Sequence, residues 1–270
     1  MMTTRGTFAT AALAGLLSLG LSGCGDSTDT AGGTGPATTT TTTAAADPKT
    51  ALASSTKAMK EGNYAFGVDG PGAVVTGLVH LPSKSAKLAI DASAESFTMK
   101  LEFVITNPNR WVRMSSNGKS MLSKGAPGDT WFHVDTTKLK KGSDLDLDLS
   151  KPDVIDVGAL LAAASDAKGD SKTITGTIDG TKVKSPDGFL DNDTLEGMGA
   201  GAAKLPYTAK LDDKGRLTEL VIDAPASEAS QTPAGKWTFT VTGYGEQAAL
   251  TKPTGKVKEL PSGSYAMLNA

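Results

Sequence analysis

The chain has 270 residues, enough for one large domain or two small ones, and its 39% hydrophobic content includes only 5% aromatics, so the core must be mainly small and aliphatic. A formal net charge of −2, with the lysines spread among the acids, excludes the strong basic field that nucleic acid binding needs. The single cysteine, Cys24, excludes an internal disulfide.

Residues 1–23 read as a signal peptide that is removed. Arg5 supplies a positive start, and the apolar run Phe8 to Leu21 is too short for a membrane-spanning helix, which needs about 20 apolar residues. Leu21-Ser22-Gly23-Cys24 resembles the bacterial lipobox, in which the cysteine becomes the lipidated first residue of the mature protein. On this reading Cys24 is an anchor, not a catalyst. Two acyl chains hold a protein on a bilayer firmly where one holds it marginally. The expected location is the extracytoplasmic face of the cell membrane, with the membrane itself as a partner through the lipidated cysteine.

Residues 24–46 form a Thr/Gly/Ala-rich tether that includes six consecutive threonines, Thr38 to Thr43. Such a composition buries too little apolar surface to order itself. As a coil its roughly 22 residues span about 25 Å.

A domain is expected over 47–253. Asp47-Pro48 combines an N-cap with a proline at the first helical position, followed by Leu52, Ser55, Ala58 and Met59 on one face and a stop at Gly62. From Tyr64 the period becomes two. Ala73, Val75, Val79 and Leu81 form one apolar set, interrupted by Gly77, and Ala86, Leu88 and Ile90 form another. Phe97, Met99, Leu101, Phe103 and Ile105 alternate with Thr98, Lys100, Glu102 and Val104. Asn117-Gly118 marks a hairpin turn. Asp153 to Ala167 carries Val154, Val157, Leu160, Leu161 and Ala164 at helical spacing, and a second, glycine-rich helix is expected from Asp191 to Ala203. Leu205, Tyr207, Ala209 and Leu211 lead through Asp213-Lys214-Gly215 into Leu217 to Ile222, and Trp237, Phe239 and Val241 form a last alternating strand. Residues 254–270 are expected to be a C-terminal tail. Many alternating strands joined by short turns imply an antiparallel sheet with one solvated face, and hence an α+β fold.

This order of parts resembles the actinobacterial LppX/LprG lipoprotein family: lipobox, tether, short helix, a meander ending at Thr130-Trp131-Phe132-His133-Val134-Asp135, the Leu160-Leu161 helix, the Leu205 to Ile222 pair, and the close at Tyr244-Gly245 with Pro253. The resemblance covers roughly Asp47 to Pro253. It implies a LolA-like fold, a strongly curved, incomplete barrel whose concave face is covered by helices. It also implies a non-catalytic role, holding the acyl chains of a cell-envelope lipid and helping to transport them, with an envelope transporter as a partner.

Acyl tails bring no hydrogen bonds, so a carrier needs apolar walls and unfilled volume. Ala159, Ala162, Ala163 and Ala164 in one covering helix and Gly197, Gly199, Ala200, Gly201 and Ala202 in the other are small enough to leave room. Alternation makes Val75, Val79, Leu88, Ile90, Phe97, Met99, Leu101, Phe103, Ile105, Leu160, Ala164, Tyr207 and Phe239 the expected cavity lining. The competing reading is an envelope sensor or interaction module with the same core filled by its own side chains.

Other chemistry is weaker. Asp144, Asp146 and Asp148 have calcium-loop spacing, but Leu149 and Ile155 stand where the loop needs glycine and glutamate. Gly118-Lys119-Ser120 imitates the end of a phosphate-binding loop and reads better as a hairpin tip. His80 and His133, the only histidines, read as strand residues, and Arg110 and Arg113 around Trp111 as outward arginines. No metal, cofactor or catalytic residue is expected.

Overall fold

The computed structural model describes residues 47–94, 97–140, 149, 153, 155–184, 188, 190–228 and 232–269. The lipobox, the tether and Asp144 to Asp148 lie outside the described residues.

The fold is α+β, and most of it is one sheet. Helix α1 (Pro48–Ser55) starts where Asp47 accepts the Thr50 N–H at 3.1 Å. A 3-10 turn, Lys57–Glu61, follows and ends at Gly62 in the left-handed region at φ 66°. Five strands then run as a meander: β1 (Asn63–Gly70), β2 (Ala73–His80), β3 (Ser85–Ala94), β4 (Phe97–Thr106) and β5 (Asn109–Ser116). The two-residue β6 (Lys119–Ser120) folds back on β5, and β7 (Trp131–Val134) pairs with β5 beyond it.

Helix α2 (Val157–Ala162), β8 (Ala164–Gly169), β9 (Thr173–Ile178), α3 (Asn192–Gly197), β10 (Leu205–Leu211), β11 (Leu217–Ala224), β12 (Gly235–Thr242), β13 (Val257–Glu259) and α4 (Tyr265–Leu268) complete the chain. The strand order is β13-β7-β5-β4-β3-β2-β1-β12-β11-β10-β9-β8, with β6 off the path on β5. Among the described strands, only the β13–β7 pair is parallel. The end strands β13 and β8 do not pair, so the sheet is not closed into a barrel.

Two cores form on one face. The first lies under α1, α2, α3 and the adjoining 3-10 turns. Leu52, Met59, Leu160, Leu161, Leu195 and Met198 meet the inward residues of β1 and of β9 to β12. The second joins Phe103, Val112, Phe132 and Val134 to Leu122 and Ala126 of the loop before β7, and to Leu260, Tyr265 and Leu268. The opposite face carries the charged and threonine-rich positions and one small cluster, Val104, Trp111 and Trp131, with the Arg113 guanidinium 4.6 Å from the Trp131 ring centre.

Three expectations are corrected. The expected helix from Asp153 to Ala167 is only six residues long, because Ala164 onwards pairs with β9 instead. Alanine has no β preference of its own, so partner strand and burial decide the matter. The glycine-rich helix divides into α3, capped by Asp191, and a 3-10 stretch, Gly199–Lys204.

The stretch after Pro253 is not a tail. It supplies β13, α4 and three side chains of the second core. Its approach is pinned across the strand ends: the Asn63 side-chain amide donates to the Gln247 carbonyl and accepts the Gln247 N–H, and the Leu250 N–H donates to Ser85 Oγ at 3.1 Å. Tyr265 Oη then accepts the Asp135 N–H at 2.9 Å.

Candidate functional site

Strand register sorts the core-bearing face into rows. One row runs Tyr64, Val79, Ala86, Ile105; the next Phe66, Gly77, Leu88, Phe103, Val112, Phe132; the next Val68, Val75, Ile90, Leu101, Met114; and the last Gly70, Ala73, Ala92, Met99, Ser116. Burial falls along these rows. Val79 is 1% exposed, Ala86 3% and Ile105 6%. In the third and fourth rows every residue on β2 to β5 is only half-buried.

The gradient follows from the packing. The first core covers β1 and the strands beyond it, and the second covers the middle of β4, β5 and β7. Leu88 touches both. Val75 leans on the first core, and Leu101 and Met114 on the second, while Ile90 and Met99 belong to neither among the described residues. The result is an aliphatic surface of Val75, Ile90, Met99, Leu101 and Met114, open at one end of β2 to β5 and closed at the other.

Gly77 shapes the closed end, because the Phe66 ring lies where a Cβ would stand. That ring reaches across β2 and packs 6.3 Å from the Phe239 ring. A larger residue at 77 would push the ring out of the first core.

The expected lining therefore separates. Val75, Leu88, Ile90, Met99 and Leu101 come together on the open surface. Val79, Phe103, Ile105, Leu160, Tyr207 and Phe239 are buried core residues. Ala164 begins β8, away from the open strands. Phe97 heads β4 by its backbone, and its side chain lies outside the described residues.

The covering helices also behave differently from expectation. They turn Leu160, Leu161, Leu195 and Met198 to the sheet and leave Ala162, Gly199, Ala200 and Gly201 exposed. The smallness of those residues opens nothing beneath the helices.

Met114 and Ser116 belong to the open surface and were not expected there. Their signal was present in the sequence: Val112, Met114 and Ser116 alternate directly before the Asn117-Gly118 turn.

Tyr207 illustrates a buried position. Burial, and secondarily the Asp166 carboxylate, push its phenol up to about 12, and its Oη donates to the Asp166 carbonyl at 3.1 Å. Tyr244 is raised by burial as well, with its Oη donating to the Leu217 carbonyl at 2.7 Å. Burial also holds the Asp153 carboxyl above the ordinary range while it accepts the Gly158 N–H at 2.6 Å. Each phenol serves as a neutral donor that fixes backbone.

The histidines have structural partners. His80 Nδ1 lies 2.6 Å from Ser83 Oγ, and His133 sits between Glu259 and Asn109. Arg113 pairs with Glu102. Among the described residues, no group of three or more His, Cys, Asp or Glu side chains is arranged to hold a metal ion, and no helix is long and apolar enough to cross a membrane. No known protein-family model matches the chain, and no curated protein matches it.

Proposed function

We propose that the chain is a lipoprotein, anchored outside the cytoplasmic membrane through Cys24, that holds a lipid acyl chain without catalysing a reaction. One observation carries this reading: the aliphatic side chains of β2 to β5 lie side by side, half-buried, on the same sheet face as two sealed cores. An isolated exposed apolar residue needs no explanation, but a contiguous row does. Each methylene laid on such a row gains about 0.8 kcal/mol, so a dozen contribute roughly 10 kcal/mol before the costs of association. The lipobox and the resemblance to the LppX/LprG family support the same reading, and a LolA-like curvature of the sheet would deepen the surface into a trough. Envelope lipid transport, with a transporter as partner, is the wider role it suggests.

The second reading is an envelope sensor or interaction module. The packed first core favours it, since the space beneath the helices is taken by leucines and methionine.

Lipid extraction from purified protein, followed by mass spectrometry, separates the two. The carrier yields acyl lipid, and the delipidated protein takes up labelled chains. Ile90→Asp lowers that uptake about tenfold or more while the domain still melts cooperatively. No recovered lipid and no uptake would leave only the interaction module. The anchor is tested by Cys24→Ala, which should move the folded protein into the soluble fraction; retention on the membrane would overturn the lipobox assignment.

A further inference from the structure

The open surface ends on a charge. Ser116 faces Met99 across β4 and β5, and Lys119 is the register partner of Ser116 in the β5–β6 hairpin. The turn between them is two residues long, with both Asn117 (φ 49°) and Gly118 (φ 74°) in the left-handed region. A tight turn of this kind keeps the flanking partners on one face of the ladder. The last row is therefore Ala73, Ala92, Met99, Ser116, Lys119, running from aliphatic to cationic along the open end.

The hairpin is held from behind. The Gly128 N–H donates to the Gly118 carbonyl at 3.0 Å, and the Ser120 N–H to the Ala126 carbonyl at 3.1 Å. Gly128 has no space for a side chain against that carbonyl. Lys119 thus stands on a fixed support.

Lysines on the other face of the sheet are mostly neutralised: Lys87 by Glu102, Lys100 by Asp91 and Lys210 by Glu219. Lys119 is exposed and forms no ion pair among the described residues. It is a cation at the rim of an apolar surface.

We infer that Lys119 is the headgroup contact of this surface and that its ligand is an acyl lipid with an oxyanion head, a carboxylate or phosphate. The tail lies along Met114, Leu101, Ile90 and Val75, and the head meets the ammonium beside Ser116. This rests on the proposed acyl-chain function. The contact is solvent-exposed, so its effect on affinity is two- to five-fold, the range of about 0.4–1 kcal/mol for such pairs, and salt screens it.

The test compares dodecanoate with dodecanol, which share a tail, by isothermal titration of the delipidated full chain. The wild-type protein should prefer dodecanoate about two- to five-fold at low salt, and lose the preference at ~0.5 M salt, where the screening length is only a few ångströms. Lys119→Gln should abolish the preference and Lys119→Glu reverse it, with dodecanol affinity unchanged in both. Equal binding of the two by the wild-type protein, or an intact preference in Lys119→Gln, would overturn the headgroup assignment alone. Binding of neither compound would overturn the acyl surface itself and the inference with it.

Discussion

At the scale of single residues, Gly77 decides how two strands share space. Phe66 lies across it to reach Phe239, so Gly77→Ala must displace a ring that is part of the first core. We expect Gly77→Ala to cost about 1–3 kcal/mol, read as a lower midpoint in urea unfolding; an unchanged midpoint would show that the ring has room to move. Aspartates that cap turns near the surface act more weakly and in concert. Thr137 and Lys138 hold the Asp135 carboxyl below the ordinary aspartate value of 3.8, the Thr173 and Lys172 N–H groups do so at Asp170, and Lys182 and Thr181 at Asp179. A lowered folded value means that the stabilisation is fully present above the ordinary value and lost as pH falls through the lowered one. Asp153, raised by burial, acts in the opposite sense: its contribution is present below the ordinary value and lost as pH rises through the raised one. Thermal melts should therefore fall as pH drops below about 4. In Asp135→Asn that acid loss should be smaller, and an identical pH profile would contradict the assignment.

At the scale of elements, alternation was a good guide to strands and a poor guide to what covers them. The run Phe97 to Ile105 reads at sight as a two-faced strand, and β4 spans it. The same run gives no hint that Ile105 and Phe103 are sealed while Leu101 and Met99 are half-open, because cover comes from segments distant in the chain. The Asp153 to Ala167 stretch misleads for a related reason. Its alanines are compatible with helix, and the β9 partner that draws Ala164 into the sheet leaves no local mark. The C-terminal elements are the clearest case. Val257, Leu260, Tyr265 and Leu268 follow neither period, and their role appears only when β13 pairs with β7 across more than a hundred residues. Deleting the residues after Pro253 should therefore unseat Leu260, Tyr265 and Leu268 from the second core. The expected result is a loss of several kcal/mol of stability, as for removal of more than one large core side chain, with increased binding of a hydrophobic dye. An unaltered melting temperature in the truncated protein would restore the tail reading.

At the scale of the whole molecule, the proposed function rests on an asymmetry of cover. A sheet of thirteen strands has more apolar face than its few short helices can close. They close the β9 to β12 side, and the C-terminal segment closes the middle of β4, β5 and β7. The ends of β2 to β5 are left with methionine and branched aliphatic side chains against solvent. Methionine suits such a place, since its flexible thioether adapts to irregular apolar partners. It also reports on occupancy, because oxidation to the sulfoxide follows exposure. Of the described methionines, Met59 and Met198 are buried, Met99 and Met114 lie on the open surface, and Met121 after β6 and Met267 on α4 are exposed, at 36% and 46%. The most direct measurement is peroxide oxidation of the delipidated protein with and without a saturating long-chain fatty acid, with each sulfoxide quantified by mass spectrometry. An acyl chain seated on β2 to β5 predicts slowed oxidation at Met99 and Met114, an unchanged rate at Met267, and little reaction at Met59 and Met198 in either state. Equal oxidation of Met99 and Met114 with and without the fatty acid would contradict the account.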